Sequence, residues 1–163
     1  MSLKLSAHFD QSEIFPGGVL GASKLNVLKA RYLCLLLLEP MRELAGVPLR
    51  ITSGYRTPQH NAEVGGAENS DHLYRDLSAA ADFKIVALNP TGVAPGRDNA
   101  LLLKWAAEAL RPAFGQLIGY MAGPGALAWI HVGIPTERHH GEVLLTTVEK
   151  PRTYRPYTGV IAL

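Results

Sequence analysis

The chain reads as an α+β domain in which helices pack on a small, mainly antiparallel sheet. Three features carry this reading: an amphipathic segment after Ser23, a second between Arg97 and Arg111, and three short strand-like runs grouped after residue 113. Helical segments followed by clustered strands fit a layered α+β architecture better than alternating βαβ units. The 163 residues are about one domain's worth, so 1–163 is taken as a single unit. A composition of 47% hydrophobic and 18% charged residues suits a chain that buries a core.

Residues 1–22 look like an irregular lead-in, with Phe9, Ile14 and Phe15 as anchors. Ser23 suits a helix N-cap, and "KLNVLKARYLCLLLLEPMREL" follows with apolar residues three and four apart. Its all-round apolar character after Leu33 points to a central helix. Pro40 should kink or interrupt it, because proline offers no N–H and crowds the preceding turn; Gly46 and Pro48 end it. "PLRITSG" alternates like a strand. Thr57 and Pro58 form the N-cap and first position of a short helix, "PQHNAEV", which Gly65 and Gly66 stop.

"SAAADFKIVA" is the next strand, and "RDNALLLKWAAEALR" the next helix, with Leu101, Leu102, Trp105 and Ala109 on one face. "FGQLIGY", "ALAWIHVGI" and "EVLLTTV" then read as an antiparallel meander separated by Gly/Pro or charged turns. Residues 150–163, including "KPRTYRPY", form an extended tail packed on the surface.

A formal charge of +2 gives no broad basic face for duplex nucleic acid, so no nucleic-acid partner is expected. The longest apolar run, "YLCLLLLEP", is too short to insert across a membrane, and the first residues lack the apolar core of a signal peptide. Cys34 is the sole cysteine, which rules out an internal disulfide and a cysteine-rich zinc site. "PGGVLG" has no Walker lysine, and Ser53 in "ITSGYR" is not in a G-x-S-x-G elbow.

The histidines and one aspartate are more informative. His8 and His60 stand among polar neighbours at the surface, and His139 and His140 lie in a charged turn, "TERHHGE". Strand alternation sets His131 in "AWIHVGI" opposite Ile130 and Val132, with Trp129 on its own side. Asp82 in "AAADFKI" is costly to bury unless something cationic compensates it. With His72 from a preceding loop, these residues offer two imidazoles and a carboxylate, leaving a fourth tetrahedral position open as a catalytic zinc requires. Spacing alone leaves both a metal site and a hydrogen-bonded polar cluster open.

Taken together, "SGYR…N…VGG…S-x-H", "A-x-D" and "W-I-H-V", with "HFDQSEI", "LEPMREL" and "FGQLI", resemble a known family over nearly the whole chain. It is that of the zinc D-alanyl-D-alanine carboxypeptidase-like peptidases of the Hedgehog/D,D-peptidase fold, in its bacteriophage and prophage endolysin-like branch. The resemblance implies a zinc ion held by His72, Asp82 and His131. It also implies that Arg56 binds or polarises a substrate carboxylate or scissile carbonyl. The implied substrate is a peptidoglycan stem peptide, cut by carboxypeptidase or endopeptidase action during cell-wall lysis. The protein would be made in the bacterial host cytoplasm and act on the wall after release or within a virion.

The chain departs from the family pattern in three places. The His72–Asp82 gap is longer, with Ser78 in place of a glycine, so "LYRDLS" is expected to rim the site. The two familiar acidic positions hold Ala128 and Tyr120, and Gly133 replaces the polar residue after "H-V". The general base therefore has no ready assignment, and Glu137, His139 and His140 are the nearest candidates. The missing acids also support a rival reading, a catalytically inactive zinc-binding module for wall recognition or virion structure.

Overall fold

A computed structural model describes residues 3–18, 22–85 and 99–159. The lead-in is more ordered than its composition suggests. It contains a helical turn, α1 (Gln11–Ile14), closed by a reciprocal capping box between Asp10 and Glu13. Phe9, Ile14 and Phe15 are buried as expected.

Ser23 caps α2 (Lys24–Leu33) by accepting from the Asn26 N–H. The helix runs through a π-helical turn (Cys34–Leu38) into α3 (Glu39–Ala45), which places Pro40 in the first turn after the widened segment. The Glu39 N–H reaches back five residues to the Cys34 carbonyl, so the helix absorbs the proline by widening one turn ahead of it and continues. Gly46 closes α3 at φ 61°, a left-handed conformation that favours glycine. This helix is not central: Ala30, Leu33, Leu37, Leu38 and Met41 are buried, while Leu35 is 53% exposed. Its apolar surplus lies partly on the solvent side.

β1 (Leu49–Ser53) leads to α4 (Pro58–Glu63), whose N-cap Thr57 accepts from the His60 N–H. A 3₁₀ turn (Asp71–Leu73) then precedes β2 (Ala80–Ile85). Val86, Ala87, Arg97 and Asp98, which the sequence assigns to strand and helix ends, lie outside the described residues. α5 (Asn99–Ala109) buries Leu102, Leu103 and Ala106, a stripe rotated from the expected one, with Ala109 exposed. Asn99 ties the helix to the sheet, accepting from the Ile85 N–H at 2.9 Å and donating to the Leu127 carbonyl at 2.9 Å.

β3 (Gln116–Gly123), β4 (Ala126–Gly133), β5 (Glu142–Thr147) and β6 (Arg155–Pro156) complete a six-stranded sheet in the order β1-β2-β4-β3-β5-β6. Every neighbouring pair is antiparallel except β3 and β5. The expected meander is therefore corrected. β2 already occupies the outer edge of β4, so β5 crosses to the free edge of β3 and runs parallel to it. Part of the tail pairs with β5 as β6, and residues 160–163 lie outside the described residues.

The ladder gives the sheet two unlike faces. Ala81, Phe83, Leu117, Ile130, Val132, Val143 and Leu145 belong to the core cluster shared with the helices. Cross-strand partners share a face, so Asp82, His131, Ile118 and Leu144 form one row on the other face. That row is where the polar residues gather.

Candidate metal centre and cleft

Asp82 and His131 are direct ladder partners on the central strands β2 and β4, so the sheet register itself brings them together. His131 Nδ1 lies 2.8 Å from Asp82 Oδ1. His72 arrives from the 3₁₀ turn, whose Ser70 cap accepts from the His72 N–H, and its Nε2 is 3.2 Å from both Asp82 Oδ1 and His131 Nδ1. All three side chains are buried, and their ligand atoms lie within 4.8 Å of one another.

The other nitrogen of His72 decides what this convergence means. Nδ1 is 2.7 Å from the Gly54 carbonyl, which can only accept, so Nδ1 carries the hydrogen and Nε2 of the neutral ring presents a lone pair. That lone pair faces the carboxylate oxygen of Asp82. Two acceptors at this distance need a cation between them, either a proton or a metal ion. Burial alone would raise the Asp82 carboxyl pKa, but when that cation is a proton the charged His72 ring, with hydrogen bonds from both histidines, more than offsets it. They hold the carboxyl well below the usual carboxylate range. A carboxylate, two imidazoles and a carbonyl that orients one of them are a donor set that fits a divalent ion with nitrogen and oxygen ligands.

Arg56 leans over the same carboxylate. Its Nη2 donates to Asp82 Oδ2 at 3.1 Å and its Nε to Ser53 Oγ at 2.9 Å, while its backbone N–H donates to the His72 carbonyl at 2.8 Å. Ser53 is the ladder partner of Asp82 beyond an irregularity in β1, which turns the "SGYR" segment across the row. Gly54 permits that turn by its lack of a side chain: a Cβ there would sit 2.3 Å from the Ile14 carbonyl oxygen.

These residues lie in a cleft of about 490 Å³, within the usual range for a ligand site. Its walls include Val64–Ala67, Asn69–Asp71, Ile118, Tyr120, Trp129, Arg138, His139 and, from the tail, Pro151, Arg152 and Tyr154. Tyr120 and Trp129 stack at 4.8 Å between centroids. Burial raises the Tyr120 hydroxyl pKa, reinforced by Tyr154, to which it hydrogen-bonds, and by Asp82. It therefore remains a neutral donor.

A comparison with protein-family models matches residues 9–116, well over half of the chain, to Peptidase M15. The chain belongs to the peptidase M15 family. Members of this peptidase family are metal-dependent, and the matched segment contains Arg56, His72 and Asp82. His131 lies beyond the matched segment and joins the set through the β2–β4 ladder. No curated protein matches the chain in sequence. No helix among the described residues is long and apolar enough to cross a membrane.

For this M15 chain the three general-base candidates lie in different surroundings. Glu137 and His140 are exposed and do not line the cleft, whereas His139 is half-buried in its wall, with Nδ1 2.8 Å from Glu142 Oε2. Gln116 donates to the same Glu142 oxygen.

The inserted "LYRDLS" segment is corrected. Tyr74 turns into the core, against Phe15 and Tyr55, and donates to the Ala80 carbonyl, and residues 73–78 do not line the cleft. Sequence reading missed the ion pair between Arg138 and buried Asp71, 3.0 Å long, because no local spacing links residues so far apart. It also missed Arg152 and Tyr154 as cleft residues, although the basic, aromatic composition of the tail drew attention to them.

Proposed function

We propose that this protein is a zinc-dependent peptidase that hydrolyses peptide bonds in bacterial peptidoglycan stem peptides and serves phage or prophage wall lysis. The reading rests on one observation above all. Within a chain of a peptidase family, a buried His72–Asp82–His131 set brings its ligand atoms within 4.8 Å of one another inside a cleft. Zinc, when bound, polarises a scissile carbonyl and acidifies water.

The chain's own residues supply the rest. His72, Asp82 and His131 hold the ion, and the Gly54 carbonyl fixes the ring of His72. Arg56 uses two kinds of N–H on Ser53 and Asp82, so its planar fork has further donors for a substrate carboxylate or for negative charge developing on the carbonyl oxygen. Trp129, Tyr120 and Val64 line the cleft around these groups. His139, its Nδ1 held by Glu142, has Nε2 for taking a proton from attacking water and returning it to the leaving amine.

A second reading is favoured by a specific observation. Asp82 faces the two histidines and Asp71 is engaged by Arg138, so neither cleft aspartate among the described residues is free to act as a base. The same fold would then serve as an inactive zinc-binding wall-recognition or virion module. Digestion of purified peptidoglycan, read as new amino termini by mass spectrometry with a chelator control, separates the two. Chelator-sensitive cleavage that Arg56→Ala abolishes with zinc content retained supports the peptidase; binding to the wall with no cleavage supports the module.

A further inference from the structure

The C-terminal segment, a surface tail by sequence, is a wall of the cleft. β6 fastens it to β5 on one side, and on the opposite lip Arg152 Nη2 donates to the Gly65 carbonyl beyond α4. Between these anchors Tyr154 meets the hydroxyl of Tyr120. The segment is thus held across the cleft at both ends.

Three arginines reach this cleft, and their charges are spent differently. Arg56 faces Asp82 at 3.1 Å and Arg138 faces Asp71 at 3.0 Å. Among the described residues, Arg152 has no carboxylate partner. The neutral carbonyl of Gly65 fixes its position without cancelling its charge, leaving most of its five N–H donors for another acceptor. A guanidinium placed this way matches a carboxylate, which it can grip with two parallel hydrogen bonds.

We propose that Arg152 is a specificity-determining residue that binds a second carboxylate of the peptide substrate, separate from the group facing Arg56, so that the cleft selects dicarboxylate peptides. The proposal rests on the peptidase reading of this site. Both cleft aspartates already face arginines, so a dianionic ligand finds no free acid to repel it. Because Arg152 sits at an exposed rim, the preference weakens with salt.

The test uses the full-length, zinc-loaded protein and two synthetic peptides of one sequence. Both end in D-alanyl-D-alanine with a free carboxylate; one carries an interior glutamate side chain and the other its amide. Calorimetric titration should give about tenfold tighter binding of the dicarboxylate. Arg152→Gln should bring the ratio close to one by weakening the dicarboxylate far more than the amide peptide, and Arg152→Lys should keep part of the preference. Equal weakening for both peptides would instead mean that Arg152 only props the wall. That result, an unchanged ratio in Arg152→Gln, or a wild-type protein that does not discriminate overturns the proposal alone. If the wild type neither binds nor cuts either peptide, the peptidase reading fails and the proposal with it.

Discussion

Gly54 is small because a backbone stands against it. An alanine Cβ would sit 2.3 Å from the Ile14 carbonyl oxygen, so the chain must shift and take with it the carbonyl that orients His72. On the proposed function, Gly54→Ala should therefore weaken zinc binding by about 10–100-fold, the usual cost of losing such an outer partner. Competition with a chromophoric chelator measures this, with circular dichroism to confirm that the fold persists; wild-type affinity would show the ring is held by something else. Cys34 has a different residue-scale consequence. Burial, helped by Glu39 and Glu13, pushes its thiol up to about 12 from an ordinary 9.0. The folded protein keeps the thiol protonated where the unfolded chain ionises, so its contribution to stability is full below about pH 9 and is lost as pH rises toward 12. A thiol reagent at pH 8 should leave the native protein unlabelled and label it fully once it is unfolded; fast native labelling would contradict this burial.

Local chemistry made several elements legible. Ser23, Thr57 and Gly46 act as caps where they stand in the sequence, because a cap depends on its own side chain or φ and a few neighbouring N–H groups. Thr57→Ala should cost about 1 kcal/mol of stability through loss of the cap on α4. A lowered urea midpoint with an unchanged slope checks this, and an unchanged midpoint would mean that α4 stands without its cap. Other elements needed the whole sheet. Pro40 dictates only that an ordinary turn cannot precede it; whether the helix kinks, breaks or widens depends on what it packs against. The place of β5 depends on which strand edge is free after β2 has taken the edge of β4, and nothing inside "EVLLTTV" records that. The same holds for the inward turn of Tyr74, which is settled by Phe15 and Tyr55.

For the molecule as a whole, the centre of the site was legible and its border was not. A carboxylate among alanines signals compensation by a cation, and the family motifs gave it partners, whereas the Asp71–Arg138 pair and the strap carrying Arg152 arise only when distant segments meet. A metal bound by the folded chain and not by the unfolded one stabilises the fold by mass action, about 2.7 kcal/mol at a hundredfold excess over the dissociation constant. For a domain of this size that corresponds to roughly 5–10 °C in melting temperature. Chelation should lower the melting temperature of the wild type by about that amount and leave His131→Ala unaffected; equal melting with and without zinc would remove the metal from the fold's energetics.

Asp82 and His131 are 49 residues apart in sequence and His72 and His131 are 59 apart, yet β2 and β4 set the first pair side by side. Closing loops of that length is entropically unfavourable until the strands pair. A chain emerging from synthesis or denaturant thus offers the ion single imidazoles and a lone carboxylate, and the three-donor grip arises when the middle of the sheet closes. On the proposed function, metal uptake is in that sense a clock: during refolding it marks the moment at which the two halves of the chain have found each other.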